Sequence, residues 1–306
     1  MSTAASTAYT FLVTAGLLLN GIAVACAAPL GTLLEPLRDR RLLAGAVVID
    51  LVLVPTALLI PAALLGVDDE VVAGLVLLAA ASSGPIGVAL TRIARGDVPA
   101  TVSIVSALGA ANLLTVPLLM GALLPGTVDV PTVAVGRSLL VLLVIPLAAG
   151  VVLRRSLLLR RRHPEAIART AQRIGAASSL AIAGAAVTGL VIDPGGIAVT
   201  LAGPAAVSAA VMLLVAGLGA VVASRDADRR RSLWLTATAR SVGVALAVAA
   251  LHLPDAEGTR ATVLAIGGAT QVVPVLMLLG RDRWAQRRGR VRAGGRGRLS
   301  ASEDVT

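Results

Sequence analysis

The sequence has no lysine, one cysteine, two histidines and few aromatic residues, although it is 306 residues long. The single cysteine, Cys26, excludes an internal disulfide and a metal site built from cysteines. Two tryptophans, one tyrosine and one phenylalanine are too few for an aromatic cage around a ligand. Arginine alone carries the positive charge, and 27 basic against 17 acidic residues give a net charge of +10.

Apolar residues make up most of what is present. They account for 57% of the chain, and the mean hydropathy is +0.89. Soluble domains rarely contain so many apolar residues, so the composition predicts a membrane protein with several spans of roughly 20 residues each. Hydrophobic runs between charged or Pro/Gly-containing breaks predict nine spans: 9–33, 42–66, 71–92, 98–124, 132–153, 169–192, 196–223, 233–252 and 259–280.

The charge of the connections alternates along the chain. Arginines cluster in every second connection, from 38–41 to the tail 281–306, whereas acidic residues dominate the others, such as 68–70. Arginine-rich connections stay in the cytoplasm, so the alternation predicts an outside N-terminus and a cytoplasmic C-terminus. We therefore expect a protein of the bacterial inner membrane and not a nucleic-acid-binding protein. The basic cytoplasmic tail is then a topology anchor with no further role or, alternatively, a segment that attracts anionic lipid.

Two of the predicted spans are interrupted by small, polar or helix-breaking residues, at 81–92 and at 236–246. Gly84 and Pro85 would break a helix in mid-membrane, and the backbone groups that a break exposes must face protein or water. Both segments contain Gly-Val-Ala-Leu, and an odd number of spans leads from one to the other, so the copies run in opposite directions. Paired interrupted spans indicate the binding site of a transporter built from inverted repeats.

Two charged residues lie within long apolar runs of the predicted spans, away from the span ends. Asp50 falls in the apolar run 42–65, and Arg240 falls in the run 233–251. A charged side chain at the centre of a bilayer costs about 2.5–3.5 kcal/mol on insertion scales, so such residues are usually paired and functional. We therefore expect a charge pair with one partner from each half of the chain.

At these positions the sequence resembles the bile acid:sodium symporter family. That family has Cys-Pro-Gly-Gly-x-x-Ser-Asn-x-x-Thr at its first broken helix and Glu-x-Gly-x-Gln-Asn at its second, and residues 81–91 and 236–241 occupy these places here. The family also has a glutamine five residues before a proline, where this chain has Asp50 before Pro55.

The resemblance implies an all-α polytopic membrane protein with nine transmembrane helices, inverted repeats and two broken crossing helices. It implies a single transporter unit over residues 1–280. Core spans would lie in 42–124 and 196–280, and panel spans in 9–33 and 132–192.

The family's sodium-binding residues are largely replaced. By resemblance, the first site falls on Gly87, Val88, Thr101, Val105 and Thr236. Only the two threonines offer an oxygen, and a hard cation requires several. The second site falls on Asp50, Thr236 and Arg240, and a guanidinium cannot coordinate a cation. We therefore predict that both sodium sites are lost, with no metal bound, and that Arg240 fills the second and pairs with Asp50.

The polar residues in and near the interrupted spans could line a substrate cavity. They are Ser82, Ser83, Thr91, Thr236, Thr238, Ser241, Asn112 and Gln271. Helix packing or an interhelical hydrogen bond is the alternative for each. The pair of Asp50 and Arg240 is likewise either structural or functional. Asp50 could take a coupling proton, or Arg240 could bind an anionic substrate in competition with Asp50.

These features predict a secondary transporter that moves a small organic anion by alternating access without the usual sodium coupling. The chain has no Walker loop, dinucleotide fingerprint or nucleophile constellation, so we expect neither an enzyme nor a cofactor. A proton is the candidate coupling ion. The alternatives are a sodium-coupled symporter with a rearranged cation site, a membrane sensor or assembly protein that kept the fold without transporting, and a channel.

Overall fold

The structure, a computed structural model, describes residues 3–27, 39–84, 86–124, 132–159, 164–253 and 255–303. Within these residues the chain forms fourteen α-helices and two π-helical turns, and its β-type pairing is limited to one isolated bridge. Six helices are long and apolar enough to cross a membrane, and a bent helix adds a seventh span if its two halves are counted together. The prediction of an all-helical, multi-pass membrane protein is confirmed.

Short connections join the helices within the described ranges. The helices are α1 (Thr3–Ala27), α2 (Arg40–Val48), α3 (Val54–Leu64), α4 (Asp69–Ala80), α5 (Ile86–Ile93), α6 (Val98–Leu123), α7 (Thr132–Leu139), α8 (Ile145–Leu159), α9 (Pro164–Ile192), α10 (Pro194–Ala202), α11 (Pro204–Ala223), α12 (Ala227–Thr238), α13 (Val242–His252) and α14 (Glu257–Glu303). The π turns Ile49–Leu53 and Leu140–Val144 join α2 to α3 and α7 to α8. The end of the predicted first span, 28–33, lies outside the described residues.

Each π turn stands at the same distance before a proline. Ile49–Leu53 ends two residues before Pro55, and Leu140–Val144 ends two residues before Pro146. A proline inside a helix has no N–H to donate, and its ring displaces the carbonyl four residues earlier, so a wider turn relieves the clash. Because Asp50 lies in the first π turn, this distortion also determines where its carboxyl is placed.

Glycines allow the helices to pack at short range. α1 lies against α8 and α9, α3 against α11, and α4 against α14. A β-carbon added at Gly74 would lie 2.6 Å from Thr262 Cβ, and one added at Gly150 would lie 2.5 Å from the carbonyl oxygen of Ile22. Such close contact is expected in a membrane, where helix association depends on packing of small residues.

Two helix breaks meet inside the protein. The first, which includes residues 81–84, separates α4 from α5, and the second, residues 239–241, separates α12 from α13. Ser83 and Arg240 form the isolated antiparallel bridge between the two breaks. Both interruptions expected from the sequence therefore contain a break, and the fold brings the two breaks into contact.

Two further predicted spans are bent or divided. α6 is bent by 61° between Val98–Gly109 and Leu114–Leu123. The predicted span 196–223 is divided at Gly203 into α10 and α11, because Pro204 cannot donate a helical hydrogen bond and begins a new helix instead.

Candidate functional site

Arg240 is fully buried at the break between α12 and α13. Its Nε donates to the carbonyl of Leu78 at 2.8 Å, and its Nη2 donates to the carbonyl of Ala79 at 2.6 Å. Its Nη1 donates to Oδ1 of Asp50 in an ion pair whose two side chains are each 1% exposed. One guanidinium therefore joins the second break, the end of α4 and the first π turn.

Arg240 caps the C-terminal end of α4. The last carbonyls of a helix have no partner within it, and a backbone group left unpaired in a membrane interior costs several kcal/mol. Beyond the two carbonyls that Arg240 binds, the carbonyl of Ala80 accepts from the N–H of Ser82 at 3.1 Å, and that of Ala81 accepts from the N–H of Ser241 at 3.2 Å. A cation at this end of a helix also interacts favourably with the helix dipole.

Two amide side chains bind backbone groups of the breaks. Asn112 lies in the bent part of α6, and its Oδ1 accepts the N–H of Ser82 at 2.9 Å. Gln271, on α14, donates through Nε2 to the carbonyl of Arg240 at 2.9 Å. Both residues thus form interhelical hydrogen bonds to groups that a continuous helix would have satisfied.

Three side-chain oxygens of Asp50 and the first break are buried and have no hydrogen-bond partner in the described part of the chain. They are Oδ2 of Asp50 and the hydroxyls of Ser82 and Ser83. The Ser82 hydroxyl lies beside the Asp50 carboxyl without good hydrogen-bond geometry to it. An unpaired buried polar atom costs about 1–3 kcal/mol, so each one requires an explanation. Chemically, these oxygens can accept hydrogen bonds from a water molecule or a ligand, and the carboxyl can accept a proton.

Residues 14–200, more than half of the chain, match the sodium bile acid symporter family. The chain belongs to that family. No curated protein matches it. The family predicted from the motifs is therefore confirmed, and membership indicates a secondary transporter rather than an enzyme. The match includes Asp50 and the first break, whereas Arg240 and the second break lie beyond it.

The positions that the resemblance assigns to the family's first sodium site hold few oxygens. A β-carbon at Gly87 would lie 2.7 Å from Ser83 Oγ and 3.8 Å from Thr236 Cα, so these residues are neighbours. The Thr236 hydroxyl donates to carbonyls of its own helix at 2.8 and 3.0 Å. Val88 and Val105, which occupy two more of the positions, have no side-chain oxygen. Within the described residues, no cluster of three or more His, Cys, Asp or Glu side chains could hold a metal.

The remaining candidates lie in different surroundings. Thr101 Oγ1 is 3.1 Å from Thr91 Oγ1, so these two hydroxyls bind each other between α6 and α5. Thr238 Oγ1 donates to a carbonyl of its own helix at 2.9 Å. Ser241 lies at the second break, where a β-carbon at Gly84 would be 3.3 Å from its hydroxyl oxygen. Of these four residues, Ser241 is the one at the contact between the breaks.

Sequence reasoning missed the partners that Arg240 finds in the backbone. The carbonyls of Leu78 and Ala79 carry no side-chain signal, so a search for an acidic partner cannot find them. It also missed the π turn that holds Asp50, although Pro55 was a usable signal for a distorted turn.

Proposed function

We propose that this protein is a secondary transporter that moves a small organic anion by alternating access, and that a fixed cation replaces the sodium ions of its family. One observation carries the proposal. The Arg240 guanidinium donates to Leu78, Ala79 and Asp50 at the point where the two helix breaks meet.

The guanidinium supplies the positive charge that a bound sodium ion would supply there. By resemblance, Arg240 and Asp50 stand at the family's second sodium position. Arg240 takes up two carbonyl oxygens and one carboxylate oxygen that a cation would need as ligands. A second cation a few ångströms away would be repelled strongly in this low-dielectric interior. The arrangement therefore favours transport that does not depend on sodium.

The helix breaks also favour the family's nine-span arrangement. α4, α5, α12 and α13 are each too short to cross a bilayer, but joined across their breaks they add two spans to the seven described above. Nine spans place the termini on opposite sides, which fits the N-outside, C-inside orientation and a bacterial inner membrane. Core spans in 42–124 and 196–280 and panel spans in 9–33 and 132–192, related by inverted repeats, complete this proposal.

The ion pair offers a way to couple the anion to a proton. The Asp50 carboxylate already neutralises the charge of the Arg240 guanidinium. A carboxylate substrate could therefore form an ion pair with the guanidinium only by displacing Asp50. A displaced Asp50 left ionised and unpaired would be costly, whereas a protonated one would be neutral. The Asp50 Oδ2, which is buried and has no hydrogen-bond partner among the described residues, is the atom that could take this proton. Exchange of Asp50 for a monoanion, with one proton taken up, keeps the site neutral.

Uptake into proteoliposomes tests this function. Purified protein would be reconstituted and offered a panel of radiolabelled mono- and dicarboxylates, with a sodium, potassium or proton gradient in turn. We expect saturable uptake of at least one anion, equal in sodium and potassium, and faster with an inward proton gradient. An absolute sodium requirement would favour a rearranged cation site. If none of the tested solutes is taken up, the result would favour a sensor or assembly protein. Uptake that does not saturate with solute concentration would favour a channel.

A further inference from the structure

An apolar groove of about 480 Å³ lies between α2 with its π turn and α11. Side chains and glycines from both helices line it, and none of them is polar. A β-carbon at Gly45 would lie 2.9 Å from Ala223 Cβ, and one at Gly219 would lie 2.9 Å from Ile49 Cγ1. Direct helix contacts at these two glycines therefore form the floor of the groove, and its shape is set by packing.

The groove opens toward the side of the protein that lipid covers. Val48, Leu218 and Val222 on its walls are 50%, 58% and 88% exposed. Apolar side chains on the outer face of a membrane-spanning helix contact hydrocarbon rather than water. The material that fills the groove must therefore be apolar.

One end of the groove is basic. Arg40 and Arg41 begin α2 a few residues before Ala44 and Gly45, and Arg225 follows the end of α11 by two residues. All three arginines are exposed. They are within about two helical turns of the groove at a rise of about 1.5 Å per residue.

The acidic groups nearby are already engaged. Asp39 pairs with Arg229 at 2.9 Å and accepts the N–H of Leu42 at 3.1 Å. Asp226 caps α12, and the bond from the Arg229 N–H lowers the pKa of its carboxyl. Among the described residues, the three arginines at the end of the groove have no acidic partner, so they are available to an anion from outside the chain.

We propose that this groove binds one acyl chain of an anionic phospholipid, with the lipid phosphate held by Arg40, Arg41 and Arg225. Guanidinium groups bind phosphate through two parallel hydrogen bonds, and basic pockets at the ends of membrane helices select anionic headgroups. A second copy of the chain would instead bring two sets of arginines together, and like charges would repel. The charge at the end of the groove therefore favours lipid as its occupant.

The bound chain would contact the turn that holds the ion pair. Ile49 and Leu53 line the groove and are also the first and last residues of the π turn that contains Asp50. A lipid in the groove would pack against this turn and stabilise it. The site is defined without reference to the transported solute, so its test does not depend on the proposed function.

Thermal unfolding of the protein in detergent micelles tests this lipid site. Delipidated protein would be titrated with phosphatidylglycerol or with phosphatidylcholine of identical chains, and Tm would be recorded. We expect a saturable rise in Tm that needs about 100-fold less phosphatidylglycerol, the ratio that three arginines near a phosphate supply. The triple variant Arg40→Gln, Arg41→Gln, Arg225→Gln should lose this preference. A matched variant at exposed arginines elsewhere, Arg92→Gln, Arg95→Gln, Arg155→Gln, should keep it.

A second variant tests the binding of the lipid acyl chain rather than the binding of the headgroup. Ala44→Phe places a ring in the groove and leaves the three arginines in place. The rise in Tm on adding phosphatidylglycerol should therefore be smaller. Native mass spectrometry should show that the variant no longer retains the lipid that the unmodified protein retains. Equal shifts with both lipids, or loss of the preference in both arginine variants, would mean general surface contact and would overturn the proposal. Retention of the preference in the groove-end triple variant would overturn it as well.

Discussion

At the scale of single residues, Arg240 supplies both a positive charge for Asp50 and hydrogen-bond donors for two backbone carbonyls. Its planar group spreads donors over three acceptors in two segments, the end of α4 and the first π turn. A lysine would bring the same charge but a single compact ammonium, which cannot reach widely separated acceptors in one plane. The structure therefore favours arginine at this position for its geometry as well as its charge.

The buried ion pair gives a stability prediction. Asp50→Ala and Arg240→Ala should each lower the free energy of unfolding by about 3–5 kcal/mol, because each leaves a buried charge without its partner. The double variant should lose less than the sum of the two, since neither charge remains unpaired. Chemical denaturation of the four proteins in the same detergent gives the coupling energy.

The exposed pair Asp39–Arg229 is a matched control for that cycle. Its Oδ2 and Nη1 are 2.9 Å apart, but its side chains are 40% and 46% exposed. Exposed pairs contribute about 0.2–1 kcal/mol, so its cycle should give a small coupling. Additive losses for Asp50 and Arg240, or equal coupling in the two pairs, would contradict the assignment of Arg240 as a fixed cation.

At the scale of helices, close contact at glycine holds α4 against α14. Gly74 faces Thr262, and a β-carbon there would be 2.6 Å from Thr262 Cβ and 2.9 Å from the carbonyl oxygen of Thr259. α4 ends at the carbonyls that Arg240 binds, and α14 carries Gln271. This contact therefore sets how the end of α4 meets the second break.

Substitution at this glycine should show the constraint. Gly74→Ala should lower the free energy of unfolding by about 1–3 kcal/mol, because the added methyl has no room. At Gly268 on α14, a β-carbon would have no atom of the described residues within 4 Å apart from its chain neighbours and its own helix backbone. Gly268→Ala should therefore be neutral or stabilising by up to about 1 kcal/mol. Denaturation midpoints of the two variants measure this difference in stability. Equal effects would show that the close packing at Gly74 does not determine stability.

Features of these helices were predictable from the sequence where a residue type has a single structural effect. Gly84 and Pro85 indicated the first break, and a lone arginine in an apolar run indicated a buried partner. The bend of α6 was not predicted, although Asn112 lies in it and Pro117, which can kink a helix, follows it closely. The capping of α4 was not predictable, since carbonyl acceptors are present at every residue and only the fold selects two of them.

At the scale of the whole molecule, the described connections divide by charge into two groups. The connections at Asp68 and Asp255 are acidic, and those near Arg92 and Arg225 are basic; Arg155 adds a further basic residue near the end of α8. In the proposed nine-span arrangement the two groups would lie on opposite membrane faces, as the positive-inside rule requires.

Single-cysteine labelling tests this orientation. Cys26 is the sole cysteine and is buried, so a Cys26→Ala protein provides an unlabelled background. An impermeant maleimide should label Asp68→Cys and Asp255→Cys fully in intact cells. Arg92→Cys and Arg155→Cys should react only after the membrane is permeabilised. Labelling of both groups from one side would contradict the nine-span arrangement.

The cation at the crossing of the two breaks is part of the polypeptide. A bound ion stabilises a fold in proportion to the logarithm of its concentration over its dissociation constant, so a site of that kind reports how much ion is present. A covalently attached guanidinium has no dissociation constant and no empty state. Its contribution to folding is therefore the same in fresh water and in brine, apart from general screening, and the crossing cannot act as a sensor of the salt around the cell.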